Sequence, residues 1–218
     1  MNKPAAAVLG LTCLCALTVR AAELRVLIKD QRGKPVADAV VLATADDPKN
    51  ALHARTPADA VDQVDKQFVP YVTTVFVGAR VRFPNSDHIR HQVYSFSPAK
   101  KFELPLYAGT DAPPVVFDKP GVVVLGCNIH DWMVGYVYVS ETPFFAKTES
   151  AGTASIGDLP PGEYTVRIWH PSMDRSEETT TRHVTVKADG PVHLEWSLGV
   201  KPTFRVPRVS GAESPGYP

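Results

Sequence analysis

The sequence predicts an all-β protein made of two sandwiches, and three observations carry that prediction. Short β-branched and aromatic runs recur along the chain at close, regular spacing. Proline is abundant, at 20 residues, which suits short strands joined by turns. No stretch of ten or more residues holds a convincing helical period; residues 58–66 are the only weak helix candidate. With 218 residues the chain is long enough for one large domain or two small ones.

The first 21 residues read as a secretory leader rather than as part of the fold. Lys3 gives a short positive start, residues 5–19 form an apolar run too short for a comfortable membrane span, and Val19-Arg20-Ala21 fits a small-residue cleavage site. Cleavage is expected after Ala21, with an uncleaved anchor as the alternative. Cys13 and Cys15 lack the small preceding residues that lipid attachment wants. No other run approaches the roughly 20 apolar residues of a transmembrane helix. The sequence thus predicts a periplasmic protein with no membrane span.

Cleavage removes Lys3 and Arg20, leaving 21 basic against 23 acidic residues, a net of −2. That balance excludes a nucleic-acid footprint. Cleavage also leaves Cys127 as the sole cysteine. A secreted chain with one thiol cannot close an internal disulfide, so the thiol is a metal ligand, a reactive group or an intermolecular link.

After the leader, residues 24–28 alternate as a strand, Arg32-Gly33-Lys34-Pro35 is a turn, and residues 39–43 form a second strand. Residues 46–59 are polar and interrupted by Pro48 and Pro57, as a long loop would be. Strands return at 73–77 and 79–83 around Gly78, at 92–96, 115–117, 121–125 and 135–139. A second set covers 153–156, 164–169 after Leu159-Pro160-Pro161-Gly162, 183–186 and 192–198. The tail from residue 201 to 218 is rich in Pro, Gly and Ser, and is expected to be loose.

The segment that carries chemistry is Gly126-Cys127-Asn128-Ile129-His130-Asp131-Trp132-Met133. It offers a thiolate, an imidazole and a thioether within seven residues. Upstream, Asn85-Ser86-Asp87-His88-Ile89-Arg90-His91 supplies another imidazole just before a strand. Two His, one Cys and a weak Met is the ligand set of blue-copper sites, which suits Cu(I) through sulfur and either oxidation state through imidazole. The predicted metal ligands are His91, Cys127, His130 and Met133, around one type 1 copper ion. Each residue also has a plain reading: buried Cys and Met are ordinary core residues, and His130 alone would be a surface group. Zinc is the rival metal, since Cys and His bind it too, and His88 is its candidate fourth ligand; we expect His88 to face solvent. Asp131 reads as a solvated loop acid. Trp132 either flanks His130 or packs. No nucleophilic triad, phosphate loop or framed pair of carboxylates competes, so no enzyme activity is expected.

These residues resemble the cupredoxin family, in its plastocyanin/amicyanin branch. The Cys127-x2-His130-x2-Met133 loop has the short amicyanin-like form, and Met133-x-Gly135-x-Val137-x-Val139 is similar to the family's last strand. Phe68-Val69-Pro70 and Val77-Gly78-Ala79-x-Val81-x-Phe83-x-Asn85 resemble its early strands. The likeness covers about residues 60–140 and is nearest to periplasmic proteins labelled as methylamine-utilisation type. It implies a Greek-key β-sandwich and an electron carrier with transient redox-protein partners. A copper carrier or storage module, and an interaction module with a vestigial site, are the alternatives. Ile129 stands where the family often has Pro, and Gln92 where Asn is common; both bear on the redox potential. The family exposes one imidazole edge through an apolar patch; here Ile129 and Trp132 flank His130, with Phe68 and Pro70 on a segment expected at the same end.

Leu159-Pro160-Pro161-Gly162-Glu163-Tyr164-Thr165-Val166 resembles the turn and strand of small Ig-like carboxypeptidase-regulatory-like or Cna-B-like domains. Val26-x3-Asp30-x2-Gly33-x-Pro35-Val36-x2-Ala39 resembles their first two strands. The expected division is a leader at 1–21, first Ig-like strands at 22–45, a cupredoxin at 58–140, the rest of the Ig-like domain at 141–200 and a tail at 201–218. The simpler alternative gives residues 22–45 to the cupredoxin sheet.

Overall fold

The computed structural model describes residues 22–51, 60–109 and 112–202. The leader, most of the loop around residue 55 and the tail beyond residue 202 lie outside the described residues.

The described chain is all-β. Its first strands are β1 (Ala22–Asp30) and β2 (Val40–Ala45), followed by β3 (Asp62–Val64), β4 (Gln67–Val69), β5 (Val72–Phe76) and β6 (Ala79–Val81). Next come β7 (His91–Ser97), β8 (Lys100–Tyr107), β9 (Val115–Phe117), β10 (Gly121–Cys127) and β11 (His130–Ser140). The last are β12 (Phe144–Lys147), β13 (Thr153–Leu159), β14 (Gly162–Trp169), β15 (Arg182–Val186) and β16 (Val192–Leu198). Pro48–Ala51 and Glu177–Thr180 are single 3-10 turns.

Residues 60–66, the described part of the weak helix candidate, are the first half of a hairpin instead. Asp65 and Lys66 both take left-handed backbone, with φ of 52° and 57°, and pair Val64 with Gln67 across a two-residue turn. Consecutive left-handed residues end any helix and suit the twist of a tight hairpin.

The central part of the chain forms a five-stranded sheet in the order β5-β11-β10-β7-β8. Strand β11 runs parallel to β5 and antiparallel to β10. The ribbons β3-β4 and β6-β9 face it, linked by bridges at Ala60↔Arg82, Gln63↔Asn85 and Asn85↔Gly109. Inward residues of both layers, including Phe68, Phe83, Val93, Phe117, Val123, Leu125 and Val137, fill one core. Gly135 is required where β4 crosses β11, because a side-chain carbon there would lie 2.7 Å from Phe68 Cβ.

Two further sheets, β13-β1-β16 and β12-β2-β14-β15, enclose a second core around Leu24, Ile28, Val41, Tyr164, Ile168 and Trp196. Strands β1 and β2 are thus interior strands of sheets whose other members all follow residue 143. The two cores meet at a third cluster. Val40 and Leu42 of β2 bury Val72 and Tyr138, with Tyr71, Tyr136, Phe145 and Trp169 packed around them. Even-numbered residues of β11 supply this contact while Met133, Val137 and Val139 point into the central core, as the strand period of two requires.

Candidate metal centre

The site forms where the ends of β7, β10 and β11 meet. Strand β10 ends on Cys127 and β11 starts on His130, the two paired across a turn at Asn128 and Ile129. The register shifts between Gly126 and Cys127, a local irregularity that re-aims the thiol relative to the regular pleat. Gly126 is packed beneath Tyr94, whose ring leaves no room for a side chain there.

His91 opens β7 and is fully buried. The loop before it is fixed by Asn85, itself buried. The Asn85 side-chain amide donates to the carbonyls of Ile89 and Tyr107, both at 2.9 Å, and its oxygen accepts the Asp87 N–H at 3.0 Å. Asp87 in turn accepts from the Asp65 and Lys66 N–H groups at 2.7 and 2.9 Å. Its carboxylate also lies 2.7 Å from His91 Nε2. An ionised carboxylate only accepts, so Nε2 carries a proton toward Asp87, while Nδ1 faces Cys127 as a donor to the thiolate when the ring is doubly protonated and as a free lone pair when it is neutral.

The ligand-type atoms of His91, Cys127 and His130 all lie within 4.8 Å of one another. Cys127 Sγ is 3.8 Å from His91 Nδ1 and 3.9 Å from His130 Nδ1. With metal–nitrogen bonds of about 2.05 Å and a metal–thiolate bond of about 2.3 Å, donors spread trigonally about one ion stand about 3.8 Å apart. Both sulfur–nitrogen separations match, so these residues fit a single soft-to-borderline ion. Among the described residues no fourth His, Cys, Asp or Glu joins the group, as a closed zinc site would want. His88 is exposed. Met133 is 1% exposed and shares the core cluster of Cys127.

The electrostatics favour a thiolate. Burial opposes ionisation of Cys127, but hydrogen bonds from His91 and from the Gln92 and Ile129 N–H groups outweigh it and hold the thiol below its usual range. Burial likewise pushes His91 down, yet Cys127 and Asp87 outweigh it and raise the ring. Asp87 is drawn down against its burial by the Lys66 N–H, His91 and the Asp65 N–H. His130 is lowered by burial and by His91.

His130 is half-buried, its ring centre 5.0 Å from that of His91 and 5.1 Å from that of Trp132. Ile129, Trp132 and Ile89 are exposed large apolar residues, and Asp131 is exposed. Phe68 differs from expectation: it is 2% exposed and packs under Gly135, so it belongs to the core and not to a surface patch. The role of Asp87 was not read from the sequence. The available signal was Asn85-x-Asp87, a pattern that folds back on its own backbone.

No protein-family model matches the chain, and no curated protein matches it. Solved structures do. A purple cupredoxin from Nitrosopumilus maritimus is 26% identical, with a TM-score of 0.33 over 37% of this chain and 96% of that one. A reduced Cu(I) amicyanin variant is 22% identical, with a TM-score of 0.35 over 46% of this chain and 98% of that one. The structural neighbours are cupredoxins. A copper-containing nitrite reductase from Thermus scotoductus SA-01 is 25% identical, with a TM-score of 0.37 over 53% of this chain and 28% of that one.

Proposed function

We propose that this chain is a periplasmic type 1 copper protein that carries single electrons between redox proteins. His91, Cys127 and His130 hold the ion, and Met133 is its weak axial partner. The observation that carries this reading is the buried Cys127 thiol standing 3.8 and 3.9 Å from two imidazole nitrogens. Bound there, copper would supply a one-electron couple. The chain supplies the rest. The Asn85 and Asp87 hydrogen bonds hold His91 in place, so little has to rearrange when charge changes. Burial of Cys127 and His91 keeps water from the thiolate. The half-buried ring of His130 offers a short route to the surface, between the exposed side chains of Ile129 and Trp132. A small apolar contact of this kind suits brief encounters and fast release.

We further propose that β1 and β2 belong with the strands after residue 141 in one discontinuous Ig-like domain of the carboxypeptidase-regulatory type, with the copper sandwich inserted at 58–140. Support comes from the interior positions of β1 and β2 in their sheets. The leader reading of residues 1–21 supports the periplasm.

Redox cycling of the Cu(II)-loaded protein tests the electron-carrier reading. Repeated reduction and reoxidation should bleach and restore an intense visible band with no copper released to a chelator. Release of the ion on reduction would favour a copper carrier over an electron carrier.

A further inference from the structure

We propose that Asp87 is a positioning residue of the copper site, a clasp that joins the β3–β4 turn to His91 and thereby lowers the potential of the bound ion. The inference rests on the copper reading and goes beyond the ligands themselves.

One carboxylate makes three contacts. It accepts the Asp65 N–H at 2.7 Å and the Lys66 N–H at 2.9 Å, and it accepts the His91 Nε2–H at 2.7 Å. The turn it grips is one that needs help. Two-residue hairpin turns with positive φ at both positions are normally made by Asn-Gly or Gly-containing pairs. Here Asp65 and Lys66 occupy that backbone, at φ of 52° and 57°. The Asp87 carboxylate, placed against both turn N–H groups, offsets the strain. The same anion fixes the His91 ring so that Nδ1 faces Cys127. The turn, the loop and the ligand therefore form one frame.

A carboxylate on the far nitrogen makes an imidazole a stronger donor, which favours Cu(II) over Cu(I). Asparagine at this position retains an acceptor oxygen but turns an amide group toward a backbone N–H, so the three contacts cannot all persist.

The test compares wild type with Asp87→Asn by three readouts. In Cu(I)-loaded wild type, which is diamagnetic, the His91 Nε2 proton should give a downfield, slowly exchanging NMR signal. In Asp87→Asn that exchange should quicken at least about tenfold. Cu(II) affinity should fall about 10–100-fold. Cu(I) affinity should fall less, and each tenfold of difference raises the potential by about 59 mV. In metal-free protein, amide exchange at Asp65 and Lys66 should quicken while that of Val123 and Leu125 stays unchanged. Equal losses of Cu(II) and Cu(I) affinity with an unchanged potential would reduce Asp87 to a structural prop and overturn the proposal. If Asp87→Asn fails to fold, wild type alone decides: a His91 proton exchanging as fast as an exposed imidazole overturns the clasp. Wild type that takes up no coloured Cu(II) would instead sink the copper reading, while the metal-free amide exchange would still report on the clasp.

Discussion

Replacing Met133 separates packing from ligation at a residue that serves both in this account. Met133 is 1% exposed among the core residues around Cys127. Truncation to Ala would empty a packed volume and cost about 2–5 kcal/mol, enough to obscure any effect on copper. Met133→Leu conserves volume and should cost less than about 1.5 kcal/mol in the metal-free protein. Met133→Gln buries an amide and should cost about 1–3 kcal/mol without metal. Copper should then report on ligation alone. With no donor, Leu disfavours Cu(II) and raises the potential; the harder amide oxygen of Gln favours Cu(II) and lowers it. Urea unfolding of metal-free protein gives the packing cost. Voltammetry and the visible spectrum of loaded protein give the ligation effect. Copper-induced stabilisation checks affinity, each tenfold loss removing about 1.4 kcal/mol. If both variants keep the wild-type potential and spectrum, Met133 is packing only and the axial position is filled by something else.

Ile129→Lys places a charge in the apolar surface beside His130. It should slow electron transfer to a redox partner at least about tenfold while leaving the visible spectrum intact; unchanged transfer would move the docking surface elsewhere. Glu177, whose carboxylate accepts from the buried Tyr138 hydroxyl at 2.9 Å, is held above the usual range, burial outweighing the Tyr138 and Arg167 contacts. A raised folded-state value means its contribution is full below the unfolded range and lost as pH rises through the folded one. Glu177→Gln should therefore flatten the fall in stability as pH climbs through and just above the ordinary carboxylate range, and an unaltered slope by chemical unfolding would contradict this. A fragment of residues 60–141 keeps its own core but uncovers Val72 and Tyr138, so it should fold and bind copper yet self-associate by light scattering. A fragment starting at residue 142 lacks the interior strands β1 and β2 and should not fold; cooperative unfolding of that piece would refute the insertion.

What was legible in the sequence follows from what is local in it. Cys127, His130 and Met133 lie on one short turn and the strand after it, so their spacing alone reveals them. His91 lies 36 residues from Cys127 and stands out only as an imidazole just before a strand that completes the ligand set. Asp87 was missed because its partners come from two loops, and a four-residue spacing outside a helix carries no expectation. Strand β8 was overlooked for a physical reason. It is an edge strand whose outward residues are charged and which carries Pro105, the features that keep edges from pairing further. Over its described residues 60–66 the helix candidate gives way to a hairpin whose Asp65–Lys66 turn is held by the Asp87 carboxylate, a partner 21 residues or more along the chain. Phe68 is core rather than surface because Gly135, far along the chain, leaves it room, a long-range relation that its own neighbours in the sequence do not show.

In the proposed function the Cys127 thiolate binds copper between His91 and His130. Titration of Cu(II) into metal-free wild type and Cys127→Ser, followed by visible absorption, tests it most directly. Wild type should develop one equivalent of intense colour, and a Cys127→Ser protein that still unfolds cooperatively should show no such band. A Cys127→Ser protein with the same band at the same intensity would contradict it.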